Sequence, residues 1–154
     1  MIRKKGIIKR SLAMVTGLLC AGVFSVSAGE IPATLDINLQ ASCPAISGLP
    51  KDKKMVKDFS HKAHAEKYLL GNEKYSPVPY TDEFTCVACH AGAKDANSIT
   101  KDLVCKGFET AFEQEGGAKK FQNHFHKTCK ACHKAMKKDG KATGPVSCKG
   151  CHKK

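Results

Sequence analysis

The stretch FHKTCKACHKAMKKDGKATGPVSCKGCHKK, residues 125–154, contains the pattern Cys-x-x-Cys-His twice. These two copies and a third one upstream consist of Cys129, Cys132 and His133; Cys148, Cys151 and His152; and Cys86, Cys89 and His90. This spacing is the c-type haem attachment pattern. Each thiol forms a thioether with one vinyl group of the haem, and the adjacent histidine reaches the iron from the same short turn. Three copies in a chain of 154 residues predict three covalently bound haem c groups.

Residues 1–28 have the pattern of a secretory signal peptide. MIRKKGIIKR is basic, SLAMVTGLLCAGVFSV is apolar, and Val26-Ser27-Ala28 is a small-residue cleavage site. The apolar run is short for a bilayer span, although an uncleaved membrane anchor is the alternative. We therefore expect export to the periplasm, with residues 29–154 forming one domain that has no membrane span after cleavage.

Few aromatic side chains are available to build a hydrophobic core. The chain has no Trp, and aromatic residues make up 6% of it, whereas protein cores normally depend on these residues. Three porphyrins would supply the missing apolar bulk. We therefore expect a core formed by haems, inside a mainly α fold with few regular elements and a short N-terminal β element.

The charge of the chain is strongly positive. The formal net charge is +12, and it falls to +7 when the five cationic residues of the leader are removed. Haem propionates would offset most of the remainder. The dense lysines between Lys127 and Lys154 would attract an acidic partner. No groove motif or interleaving of basic and aromatic residues indicates nucleic-acid binding.

Hydrophobic periodicity and turn residues predict the local structure. The expected segments are a strand in 31–40, a loop over 41–54, an extended segment over 55–70 that becomes a helix near Ser60, a loop over 71–85, a helix over 97–115 ended by Gly116 and Gly117, a helix over 118–138, and a loop over 139–147.

The chain has seven histidines, one more than the six axial positions of three haem irons. Three of the seven belong to the attachment motifs and are the predicted proximal ligands: His90, His133 and His152. Four remain for the three opposite faces: His61, His64, His124 and His126. His61 and His64 are one helical turn apart, and they would serve two different haems on either side of that helix. Either His124 or His126 would complete the third haem.

Methionine is the alternative sixth ligand, and outside the leader only Met55 and Met136 are available. Methionine–histidine ligation raises the reduction potential, so ligation by histidine alone predicts low-potential haems. An iron that is saturated in this way has no open position for a substrate. We therefore expect an electron carrier and not an enzyme.

Two cysteines outside the leader, Cys43 and Cys105, belong to no motif. An even pair in an exported chain suggests a disulfide. The alternatives are two free thiols or cysteine ligation of one haem. Structural zinc sites also use Cys-x-x-Cys pairs, but the histidine after every pair argues against that interpretation.

Four stretches together resemble the class III multihaem cytochromes c. They are FSHKAHAEKY (59–68), CVACH (86–90), FHKTCKACHKAMKK (125–138) and GPVSCKGCHKK (144–154). The resemblance covers about residues 55–154, with a weaker similarity in the 31–40 strand. Members of this family are low-potential periplasmic electron carriers of anaerobic bacteria, many of which reduce sulfate or metals.

The resemblance implies three pairs of axial ligands: His61 with His90, His64 with His133, and His126 with His152. His126 is chosen because FHKTC matches the family's form at that position, which leaves His124 as the spare histidine and the alternative ligand. Tetrahaem members have a further haem between the motifs that here end at His90 and begin at Cys129. They also carry a second histidine where this chain has Ala91. The resemblance therefore implies a trihaem member in which helix 97–115 fills the retained interval.

The function that the resemblance implies is electron transfer in anaerobic respiration. Suitable partners would be a periplasmic hydrogenase, a formate dehydrogenase or a membrane quinol-linked complex. Two alternatives are a non-specific reductase of metal ions at exposed haem edges and a redox subunit of a membrane-associated complex.

Overall fold

Short helical segments make up most of the regular structure. The computed structural model describes residues 30–49 and 55–152, so the predicted signal peptide lies outside the described residues. The α-helices are α1 (Leu39–Ser42), α2 (His61–Ala63), α3 (Lys101–Gln114), α4 (Gln122–Phe125), α5 (Ala131–Lys138) and α6 (Cys148–Cys151). Single 3₁₀ turns cover Glu73–Tyr75, Thr85–Ala88 and Ala96–Ser98. Within the two described ranges, no helix has the length and apolarity that a bilayer crossing requires. The mainly α class with few regular elements is confirmed.

The short N-terminal β element is also confirmed, as one strand of an antiparallel pair. Strands β1 (Leu35–Ile37) and β2 (Val56–Phe59) pair in an irregular register, with Leu35 opposite Phe59. Strand β1 is shorter than the predicted 31–40 because the Asn38 side chain accepts a hydrogen bond from the Ala41 amide at 3.1 Å and starts α1. Strand β2 leads directly into α2.

Two helices widen into a π-helical turn in the segments that carry the predicted distal histidines. Helix α2 continues as the turn His64–Tyr68, and α4 continues as the turn His126–Lys130 before α5. Such turns occur frequently at functional sites. The predicted helix over 118–138 was therefore correct in type but begins at Gln122.

Helix α3 occupies the interval between the first and second motifs. It begins later than the predicted 97–115 because the Thr100 hydroxyl accepts from the Leu103 amide at 3.2 Å and caps the helix there. The residues before it form the separate turn Ala96–Ser98. Gly116 and Gly117 have φ angles of 80° and 85° and end the helix as predicted.

The apolar core within the described residues is small and joins α1, α3 and α4. Its members are Leu39, Ala111 and Phe121, with Leu49, Phe108, Phe112 and Phe125 packed around them. The Phe121 side chain is the largest that is almost fully enclosed, at 2% exposed. Beside this cluster, a disulfide joins Cys43 to Cys105, whose Cα atoms are 5.5 Å apart. The predicted disulfide is confirmed.

Candidate haem-binding site

His61 and His90, the first predicted ligand pair, lie close together between α2 and the first motif. Their ring centroids are 6.0 Å apart, and the ring planes differ by 84°. A metal–imidazole nitrogen bond is about 2 Å long, so two imidazoles on opposite sides of one metal ion have centroids about 6 Å apart. The spacing therefore suits a shared iron. Burial, with a smaller contribution from His61, lowers the pKa of His90 and favours the neutral ring that a metal requires.

His64 and His133 form the second pair with nearly the same spacing. Their ring centroids are 6.3 Å apart, and the planes differ by 38°. The rings of Phe59 and Tyr68 flank His64 at centroid distances of 4.5 Å and 5.3 Å. Burial is the main reason that the pKa of His64 is lowered. The two aromatic neighbours limit how the His64 ring can turn.

Hydrogen bonds determine which nitrogen of each ring in this second pair is free. His64 Nδ1 lies 2.8 Å from the Ser60 carbonyl oxygen, and His133 Nδ1 lies 2.9 Å from the Pro145 carbonyl oxygen. A carbonyl can only accept, so Nδ1 must carry the proton and donate. The lone pair of Nε2 is then available in both rings, which is the arrangement typical of metal-ligating histidines.

A buried threonine holds the first motif against the helix of the distal histidines. The Thr85 hydroxyl donates to the Ala65 carbonyl at 2.6 Å, and Thr85 is 5% exposed. Thr85 immediately precedes Cys86, and Ala65 follows His64 in the π-helical turn. One short hydrogen bond therefore sets the distance between the element that supplies His90 and the element that supplies His61.

Among the described residues, the third pair, His126 and His152, has no ring contact like those of the first two pairs, and its members affect each other only as neighbouring like charges. Burial, followed by Lys130 and then His152, lowers the pKa of His126. Beside His126 a cavity of about 330 Å³ is lined by Asn123, Lys127, Lys130, Ala131 and Lys134. Its lysine ammonium groups suit the carboxylates of a propionate-bearing ligand.

Among the residues that the structure describes, two buried ring nitrogens have no hydrogen-bond partner. They are His61 Nδ1 and His152 Nδ1. These rings belong to different predicted pairs, so the first and third sites lack the carbonyl anchor that both rings of the second pair have. In the second pair, therefore, hydrogen bonds to the protein fix the tautomer of both histidine rings.

His124 occupies a different environment from His126. Its ring stacks on Phe121, with centroids 6.0 Å apart and planes at 9°, and contacts Phe125 at 5.1 Å. It also lines, with His90, a small cavity of about 50 Å³ between α3 and the first motif. His124 therefore packs against the apolar cluster, whereas His126 borders the lysine-lined cavity.

The motif cysteines converge on one region of the molecule. Burial, followed by the nearby thiols of Cys89, Cys151 and Cys132, raises the pKa of Cys129 to about 12. Cys89 belongs to the first motif and Cys151 to the third, so Cys129 of the second motif lies between them. The Cys129 thiol therefore stays protonated at neutral pH, and thioether formation would add its S–H bond across a vinyl group. The three attachment points would therefore hold their haems close together.

Sequence reasoning did not find the residues that orient the ligands. The sequence predicted a helix that begins near Ser60, but the Ser60 hydroxyl does not cap that helix and lies instead 3.2 Å from His64 Nδ1. The roles of Thr85 and Pro145 were not predicted. The position of Thr85 directly before a motif was a usable signal, whereas Pro145 reaches His133 from a loop twelve residues away.

The comparisons with known proteins agree with this chemistry. The model of the class III cytochrome C family matches residues 40–152, a range that contains all three motifs and all seven histidines. No curated protein and no solved structure matches the chain significantly.

Proposed function

The chain belongs to the class III cytochrome c family, and from that premise we propose that it is a periplasmic electron-transfer protein. It carries three covalently bound, bis-histidine, low-potential c-type haems and relays electrons between redox partners in anaerobic respiration. The observation that carries this proposal is the ring spacing of two ligand pairs. Centroid distances of 6.0 Å and 6.3 Å are those that one iron between two imidazoles requires.

Each haem would be held by one motif and one further histidine. The cysteine pairs would be Cys86 with Cys89, Cys129 with Cys132, and Cys148 with Cys151. The axial pairs would be His61 with His90, His64 with His133, and His126 with His152. A bound haem supplies one-electron chemistry at its iron, whereas the protein orients it and sets its potential. Two imidazoles on each iron keep that potential low and leave no position for a substrate.

The compartment is proposed from two features. Residues 1–28 resemble a signal peptide, and the Cys43–Cys105 disulfide is of the kind that persists in oxidising compartments such as the periplasm. The signal peptide would be removed, leaving 29–154 as the haem-bearing domain. Partners would be redox proteins such as a hydrogenase, a formate dehydrogenase or a membrane quinol-linked complex.

The test is the haem count of the purified full-length product, expressed in a host competent in c-type haem attachment. A pyridine haemochrome assay, calibrated by protein mass, should give three haems per chain. The double variant Cys86→Ala, Cys89→Ala should give two, because only one attachment site is removed. Material without haem, or a double variant with the same count as the parent, would refute the proposal.

A further inference from the structure

The loop between the second and third motifs contacts the His133 ring directly. Gly144 lies so close to the ring that a Cβ atom built on it would be 2.5 Å from Cε1, 2.9 Å from Nε2 and 3.0 Å from Nδ1 of His133. Real Cβ contacts essentially never fall below about 3 Å, so only glycine fits while the ring keeps this position. The imidazole therefore lies against bare backbone.

The need for glycine here comes from this contact and not from the backbone conformation. In the described part of the chain, the glycines with positive φ are Gly48, Gly71, Gly92, Gly116, Gly117 and Gly140. Gly144 is not among them, so alanine would fit its backbone conformation. The cost of a side chain at Gly144 would fall on the His133 ring, which would have to move.

The next residue fixes the same ring from a second direction. The Pro145 carbonyl accepts the Nδ1–H of His133 at 2.9 Å. Proline has a fixed φ and restricts the residue before it to extended conformations, so Gly144 is less free than glycine usually is. The Thr143 hydroxyl donates to the His133 carbonyl at 3.3 Å and ties the loop to α5. Three consecutive residues therefore contact His133: Gly144 lies against the ring, Pro145 accepts from the ring nitrogen, and Thr143 donates to the backbone carbonyl.

The same loop also packs against the third motif. A Cβ atom at Gly150, between Cys148 and Cys151, would lie 2.5 Å from Pro145 Cβ. Cys151 Sγ lies 3.7 Å from the Pro145 carbonyl oxygen. Pro145 is therefore held between the ligand of the second site and the attachment turn of the third.

We propose that Thr143–Pro145 is a positioning segment that sets the ring plane and the basicity of His133, and through it the potential of the second haem. This inference rests on the proposed function. A carbonyl that accepts Nδ1–H increases electron donation from Nε2 to the metal. Greater donation favours the oxidised iron, so the segment holds the potential of this haem below the value it would have without the hydrogen bond.

The test compares Gly144→Ala with Ala142→Ser in the full-length haem-loaded protein. Each change adds one heavy atom to the same loop, but Ala142 is exposed and outside the contacts described. In Gly144→Ala we expect one of the three redox transitions to move to a higher potential and the other two to stay. The Nδ1–H signal of one axial histidine, seen by NMR in the reduced protein, should shift and exchange faster with solvent. Ala142→Ser should match the parent in every readout.

A second variant covers the case in which Gly144→Ala yields no haem-loaded protein. Pro145→Ala keeps the carbonyl and Cβ but frees the backbone, so it should change the same transition in the same direction by a smaller amount. Unchanged potentials and an unchanged Nδ1–H signal in the variant that folds would overturn the inference. The haem count is measured on the same samples. Three haems per chain with unchanged potentials would refute the positioning role alone. A parent protein without haem would refute the proposed function.

Discussion

Removing the Cys43–Cys105 disulfide should destabilise the fold by an amount that follows from the loop it closes. The bond joins residues 62 positions apart, and the enclosed segment carries His61, His64 and the first motif. In the chain-entropy model, a cross-link over a loop of about 60 residues stabilises the folded state by about 4 kcal/mol. The double variant Cys43→Ala, Cys105→Ala should therefore lose up to about 4 kcal/mol of unfolding free energy.

The measurement is guanidinium unfolding of the oxidised protein, followed by far-ultraviolet circular dichroism. Variants are preferable to thiol reductants, because reductants would also change the oxidation state of the haem irons. The matched control is Ser42→Ala, Lys106→Ala, which changes the exposed neighbours of both cysteines and should cost less than about 0.5 kcal/mol. A loss below about 1 kcal/mol in the cysteine variant would refute the reasoning. It would mean that the apolar cluster of Leu39 and Phe112 already holds the loop ends together.

Two further outcomes test the ligands and the pH dependence. His64→Ala should convert one haem to a high-spin form by electron paramagnetic resonance, because one iron loses an axial nitrogen, whereas His124→Ala should leave every haem low-spin. Burial raises the pKa of Tyr80 to about 12, while an unfolded tyrosine ionises near about 10. The unfolded state therefore loses its proton first, so the contribution of Tyr80 to the unfolding free energy should be constant below about pH 10 and fall between about pH 10 and pH 12. Tyr80→Phe should remove most of this loss of unfolding free energy, which is measured by guanidinium unfolding at a series of pH values. If the variant loses as much unfolding free energy as the parent, other groups cause the loss and the prediction is wrong.

Local elements of the fold could be predicted where nearby residues, such as glycines at a helix end, determine the backbone conformation. Gly116 and Gly117 end α3 as expected, and the helix after Ser60 is present. The boundaries were less predictable, because they depend on single side-chain bonds. The Asn38 side chain shortens the predicted strand, and the Thr100 hydroxyl delays α3. The π-helical turns at His64–Tyr68 and His126–Lys130 are each only five residues long, which is too short for hydrophobic periodicity to distinguish them from ordinary helix.

Haem attachment could be predicted from the sequence because the residues that carry it lie next to one another in the chain. Two cysteines and a histidine within five residues can act on one cofactor whatever the rest of the chain does, and a count of spare histidines restricts the distal ligands. Family membership is shown by the match over residues 40–152, a range that contains all three motifs.

Only the tertiary structure decided the geometry with which distant groups meet. It brought Cys43 to Cys105, His61 to His90 and His64 to His133. It also placed a Pro145 carbonyl on the Nδ1 of His133. These contacts join residues from different elements, so they depend on how the chain returns on itself. The sequence therefore determined the type of cofactor chemistry, and the packing of separate segments decided the geometry and tuning of the ligands.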